Sequence, residues 1–150
     1  MTIKQTFPFN ALVFTTMTTL PQLADHVGHV AKAMYQEAAR LSVMPTGAIH
    51  WKYTGIDGNP ATVFELEILL PIQERDIIAE GFEWKHIPSF KCLSLIHEGD
   101  WERMPEAYQK AMDYVAAHQL TMTSECREIY QHMDFEIASH NVTEIQIGLQ

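Results

Sequence analysis

The sequence predicts an α+β fold: two tandem strand–helix–strand–strand units, an antiparallel sheet with two helices on one face, and a central ligand groove. Three observations predict it. A local order occurs twice. Tyr35-Gln36-Glu37-Ala38 lies in a helical stretch, followed by a turn at Met44-Pro45-Thr46-Gly47, a strand Ile49–Tyr53 ending in tyrosine, and Phe64-Glu65-Leu66-Glu67-Ile68. The order returns as Tyr108-Gln109-Lys110-Ala111, a turn at Met122-Thr123-Ser124, then Arg127-Glu128-Ile129-Tyr130 and Thr143-Glu144-Ile145-Gln146-Ile147. Two stretches carry apolar residues every three or four positions, as a helix burying one face requires. The strand candidates alternate apolar and polar residues, as half-buried strands do.

The elements follow in order. Ala11–Thr16 reads as a strand, rich in β-branched and aromatic residues. Thr19-Leu20-Pro21-Gln22 reads as a helix start, with Thr19 as cap and Pro21 tolerated in the first turn. Leu23, Val27, Val30, Met34, Ala38 and Leu41 form the stripe of one continuous helix to Leu41. Pro45 and Gly47 end it. A hairpin follows, Ile49–Tyr53 and Thr62–Leu70 around a loop at Gly55–Pro60. Pro71–Gly81 is a charged linker without low complexity, expected to lie over the surface. Glu83–Ile87 and Phe90–His97 come next, then a turn at Gly99-Asp100. Met104-Pro105-Glu106 opens a second helix with the stripe Met104, Tyr108, Ala111, Met112 and Val115. Strands Cys126–Gln131 and Val142–Leu149 close the chain. A single domain over 1–150 is expected, with repeat halves at about 8–72 and about 82–150 that share one core.

Composition narrows the function classes. The net charge of -9 and only 10 Lys and Arg, scattered, argue against direct nucleic-acid binding. No apolar run reaches membrane-spanning length, and Met1–Gln5 lacks a signal-peptide pattern. Cys92 and Cys126 have no CxxC partner, so a cytoplasmic, reduced protein is expected.

Alternation puts Phe64, Leu66, Ile68 and Leu70 on one side of their strand and Glu65 and Glu67 on the other. Comparison of the repeats matches Glu65 with Glu144, and sets Glu128 and Tyr130 against Trp51 and Tyr53. If the polar sides line one concave surface, it holds Glu65, Glu67, Glu128 and Glu144 beside Trp51, Tyr53 and Tyr130. Aromatic faces attract cations, and a carboxylate in a partly dry groove calls for one. The alternative is a solvated sheet face, on which alternating glutamates are ordinary.

His97-x-Gly99-x-Trp101 followed by Met104-Pro105-Glu106-Ala107-Tyr108 resembles the strand–turn–helix of GyrI-like effector-binding domains, which also form the ligand-sensing half of AraC- and MerR-type multidrug regulators. Arg127–Tyr130 and Thr143–Ile147 look like that family's last two strands. The resemblance covers most of the chain and is tightest from Phe90 onward. It implies a groove between tandem units, a central glutamate at Glu128 that meets cationic compounds, and a second acidic position at Glu144. Two positions depart from the family pattern: Gly99-Asp100-Trp101 replaces Gly-Pro-Tyr, and Gly148 stands where proline is usual. Trp101 keeps an aromatic at the groove mouth. No helix-turn-helix is expected, since the first strand begins almost at once.

Other features point less sharply. His26 and His29, at helical spacing, would need a third ligand to hold a metal, and none is evident, so neither metal nor cofactor is expected. The polar turn His97–Asp100 reads as turn chemistry. Cys126 shares the strand face of Glu128 and reads as a small buried hydrophobe. Three functions follow. The leading one is binding or sensing of a hydrophobic, cationic small molecule. The second is a protein–protein role, with DNA gyrase or a regulator as partner. The third is hydrolysis of reactive electrophiles by Glu128 or Glu144, although no nucleophile–base pair is evident and no catalytic residue is assigned.

Overall fold

The computed structural model describes residues 1–150. The elements are β1 (Thr2–Gln5), β2 (Phe9–Thr18), α1 (His29–Arg40), β3 (His50–Thr54), β4 (Phe64–Pro71), β5 (Glu83–Ile87), β6 (Lys91–Glu98), α2 (Met104–Ala117), β7 (Met122–His132) and β8 (Val142–Leu149). The strands form one eight-stranded sheet in the order β1-β6-β8-β7-β3-β4-β2-β5. Every neighbouring pair is antiparallel.

Two units, β2-α1-β3-β4 and β6-α2-β7-β8, join along β3 and β7. The tandem α+β architecture is the expected one. The remaining strands are exchanged between the units. β1 precedes the first unit but pairs with β6 of the second, and β5 precedes the second but pairs with β2 of the first.

Trp51 pairs with Glu128 across the seam, and these are also repeat equivalents. The pseudo-twofold axis therefore passes through that pair. Moving outward, Tyr53 pairs with Leu66 and Tyr130 with Thr143, which makes Glu67 the equivalent of Glu144. The sequence comparison chose Glu65 instead. Motif strings alone do not reveal loop lengths, whereas the ladder register does. The exchanged strands repeat an ion pair: Lys85 Nζ lies 3.1 Å from Glu67, and Lys4 Nζ lies 2.9 Å from Glu144.

Both helices lie on one face of the sheet. Leu12, Met34, Phe64, Leu66, Ile68, Leu93, Ala111 and Ile145 form the centre of the core between them and the sheet. A smaller cluster, Ala11, Val13, Leu69 and Ile87, occupies the other face. In α2, Met104, Ala107, Ala111 and Val115 are buried, and Pro105 sits in the first turn, where its missing N–H costs nothing. Asp100 starts the preceding short turn by accepting the Glu102 backbone N–H at 2.9 Å.

The first helical segment differs from the expected continuous helix. Leu20–His26 is a 3-10 helix and α1 begins only at His29. Thr19 makes no side-chain cap bond there. Gly28, with φ 85°, breaks the segment, and a non-glycine residue rarely adopts that backbone. Gly28→Ala is expected to destabilise the fold by about 1–3 kcal/mol, measured by urea unfolding, because a Cβ there meets open space and only strain acts. The charged linker lies on the surface as expected. Arg40 donates to the Ile78 carbonyl at 3.3 Å, and the Glu80 backbone N–H donates to the Glu37 carboxylate.

Candidate functional site

The β3–β7 seam runs along the sheet centre, on the face that carries the helices. Alternation and register put Trp51 and Tyr53 of β3 and Cys126, Glu128 and Tyr130 of β7 on that face. α1 and α2 leave an opening above them. It is a cavity of about 1020 Å³, walled by Leu20, Leu23, Ala31 and Tyr35 on one side and by Trp101, Met104, Tyr108 and Met112 on the other. Met133 and Phe135, from the β7–β8 connection, reach the same cavity. Its size and largely apolar walls suit an organic ligand.

Glu128 lies on the cavity floor, 8% exposed. Three phenols converge on its carboxylate. Oε2 accepts from Tyr53 Oη at 3.0 Å and from Tyr130 Oη at 2.5 Å, and Oε1 accepts from Tyr108 Oη at 2.5 Å. Burial raises the Glu128 pKa above its ordinary value, while the hydrogen bonds from Tyr108, Tyr130 and Tyr53 pull it down. All three tyrosines are held well above their usual range, first by burial and then by the Glu128 charge. Glu128 forms no salt bridge with any Lys, Arg or His.

Aromatic rings lead from the axis to the mouth. Trp51 meets Tyr130 edge-on at 6.1 Å, Tyr130 meets Trp101 at 5.8 Å, and Trp101 meets Phe135 at 5.5 Å. The Trp101 indole N–H donates to Thr143 Oγ1 at 3.2 Å, which fixes the ring at the mouth.

Of the residues singled out in the sequence, the structure brings Trp51, Tyr53, Trp101, Glu128 and Tyr130 together around one cavity. Glu65, Glu67 and Glu144 lie on the opposite face of the sheet, so the expected single surface carrying all four glutamates does not form. The alternation within each strand was read correctly; the pairing between strands decides the rest. Glu128 sits opposite Trp51 and Ile145, on the apolar face, whereas Glu144 sits opposite Ile129 and Glu67 opposite Lys52. On that far face Glu67 is neutralised by Lys52 and Lys85, each at 3.1 Å, which lower its pKa despite burial.

In sequence Tyr108 belongs to the packing stripe of α2; in the structure its hydroxyl donates to Glu128. The signal was a hydroxyl inside an apolar stripe, since a buried phenol needs a partner. The lining from Leu20–Tyr35 and from Met133 and Phe135 carries no sequence signal of its own. His26 and His29 lie on either side of the Gly28 break, with ring centroids 6.4 Å apart. Cys126 lines the cavity, and burial pushes its thiol up to about 12, so it stays protonated there. His97 turns its Nε2 to the Asp100 carbonyl at 2.8 Å, a turn contact away from the cavity.

No family model matches the chain, and no curated protein matches it in sequence. Solved structures do match in fold. The EcmrR C-terminal domain aligns with a TM-score of 0.79 at 15% identity, over 99% of this chain and 96% of that one. In an EcmrR–DNA complex the aligned part is 56% of that chain, about half its length. A structure of SAV2435 bound to tetraphenylphosphonium aligns with a TM-score of 0.69 at 15% identity, over 99% and 93% of the two chains. A hydrolase from Listeria innocua aligns with a TM-score of 0.65 at 8% identity, over 99% and 91%. The chain therefore has the fold of the EcmrR C-terminal domain and of SAV2435, in keeping with the α+β fold expected from the sequence.

Proposed function

We propose that this chain, which has the fold of the EcmrR C-terminal domain and of SAV2435, binds a hydrophobic, cationic small molecule in the cavity between α1 and α2. The observation that carries the reading is Glu128: a buried carboxylate on the floor of an aromatic cavity, without a cationic side chain to neutralise it. A buried charge without a counter-charge is costly, and a ligand cation relieves that cost while its apolar body covers the walls. The faces of Trp51, Tyr130 and Trp101 add cation–π attraction. The binding of tetraphenylphosphonium by SAV2435 belongs to that protein, and it makes the same compound the natural first probe here.

Titration with tetraphenylphosphonium, followed through tryptophan fluorescence, is expected to saturate, because Trp51 and Trp101 line the cavity. Glu144→Gln, on the far face, is expected to leave the affinity within about twofold, as for a substitution that touches no ligand. An unsaturable signal refutes the reading.

Binding should also depend on pH. A cation favours ionised Glu128, whose pKa burial raises in the free protein. Affinity is therefore expected to fall as the medium is acidified, beginning at a higher pH than an ordinary surface carboxylate would give. A flat profile down to the ordinary carboxylate range would exclude Glu128 as the counter-charge.

Hydrolysis is a second reading, favoured by the enclosed carboxylate with its raised pKa. Turnover of an electrophilic ester, abolished in Glu128→Gln, would establish it. No feature of the cavity selects DNA gyrase or another protein as partner.

A further inference from the structure

Three phenols on one carboxylate leave little room for a fourth donor. An ionised carboxylate offers about four acceptor positions. Tyr53 and Tyr130 take two on Oε2, and Tyr108 takes one on Oε1. One position remains, on Oε1. The phenol oxygens aim their protons at Glu128 and are weak acceptors, because the ring draws on their lone pairs. The neighbouring strand carbonyls are engaged in the β3–β7 and β7–β8 ladders. Of the lining, Trp51, Trp101, Met104 and Met112 carry no oxygen acceptor, and the acceptor-bearing Asp57, Thr123, Ser124 and Glu125 belong to the β3–β4 loop and the start of β7, three or more residues along the strand from Glu128.

We infer that the cavity takes cations carrying at most one N–H donor, and that Tyr108 sets this limit by filling the second position on Oε1. The inference rests on the reading that a cation binds at Glu128, and it adds the donor count. A primary ammonium brings three N–H groups and leaves two unsatisfied beside the carboxylate. A secondary ammonium leaves one. A tertiary ammonium fits the open position, and a quaternary centre needs none. Each buried unsatisfied donor is strongly unfavourable. Tyr108 comes from α2, whereas Tyr53 and Tyr130 belong to the seam strands themselves, so donor capacity depends on how the helix is seated.

The test uses the series naphthylmethylammonium, its N-methyl and N,N-dimethyl derivatives, and naphthylmethyl-trimethylammonium, with affinities measured by calorimetry on the full chain at one pH. Affinity is expected to rise about fivefold or more at each of the first two methylations. It should then change by less than about twofold at the last, where no unsatisfied donor is removed. Methylation also adds apolar surface, but that effect alone rises evenly through the fourth member, and an even rise overturns the inference. In Tyr108→Phe a second acceptor position opens, so the plateau is expected to begin one member earlier, at the N-methyl compound. A plateau that does not move overturns the role of Tyr108. Should Tyr108→Phe fail to fold, Tyr53→Phe, which opens a position on Oε2, is expected to give the same shift. If no member of the series binds while tetraphenylphosphonium does, the donor count is wrong but the cation site stands. If neither binds, the cation site itself is refuted.

Discussion

Glu128→Gln is expected to weaken tetraphenylphosphonium binding by at least about 30-fold, the lower end of the effect of removing one partner of a buried charge pair. The same substitution is expected to leave the fold intact and, at neutral pH, to stabilise it on the order of 1 kcal/mol, as when strain held for function is released. The sign follows from titration. Burial raises the Glu128 pKa in the folded chain, and in the unfolded chain the group has its ordinary value. The folded state thus holds the proton more tightly. Its advantage is complete below the unfolded pKa and is lost as pH rises through the folded one. Above that range the native protein keeps a buried charge that glutamine does not carry. The variant should therefore gain in thermal midpoint at neutral pH, and the gain should vanish in acid. The glutamine carbonyl oxygen can accept from two of the three phenols, and the third keeps a partner by turning its hydroxyl to accept from the amide N–H. Unchanged affinity in this variant would remove Glu128 from the site.

Gly148→Ala is expected to harm the fold by direct overlap of atoms, where Gly28→Ala acts through backbone strain alone. A Cβ at Gly148 would lie 2.2 Å from Thr123 Oγ1 and 2.6 Å from the Glu125 carbonyl oxygen. The cause is the irregularity of β7, whose register against β8 shifts between Met122 and Cys126 and carries its backbone close to Gly148. The expected loss is about 1–3 kcal/mol, as for overpacking elsewhere in a well-packed interior. Thermal denaturation would show this as a fall of about 2–4 °C for each kcal/mol. Thr123→Ala in the same chain should restore only part of it, since the carbonyl of Glu125 remains. Full restoration would mean that the hydroxyl alone sets the constraint. Gly148 is thus the residue that the local backbone admits.

Where local chemistry decides, the sequence was readable. The stripe residues Val30, Met34, Ala38 and Leu41 are buried, though Val27 is exposed, and the alternation of Phe64–Leu70 gives the inward face; α1 itself ends at Arg40, where Ser42 turns into the left-handed region before Pro45 and Gly47 are reached. Gly28 escaped because a lone glycine within a periodic stripe also reads as tolerated helix. The cavity was half legible. Trp51, Tyr53, Glu128 and Tyr130 were grouped by comparing the repeats, and Trp101 by resemblance. Glu65, Glu67 and Glu144 were added because a strand alone says which of its residues share a side, not which side meets the helices. That depends on pairings such as Trp51 with Glu128, between residues far apart in the chain.

The exchanged edge strands bear on how the molecule is made. The first unit leaves the ribosome with β2 as an open edge, and it is closed only when β5 follows, after β4. The second unit finds its closing strand, β1, already synthesised, because β1 precedes the whole first unit. Thr2 must wait for Ser94. Such distant pairings slow folding and leave an edge exposed while they are awaited. The small, lysine-bearing β1 suits that wait, because a short strand with a charge is a poor template for the wrong neighbour.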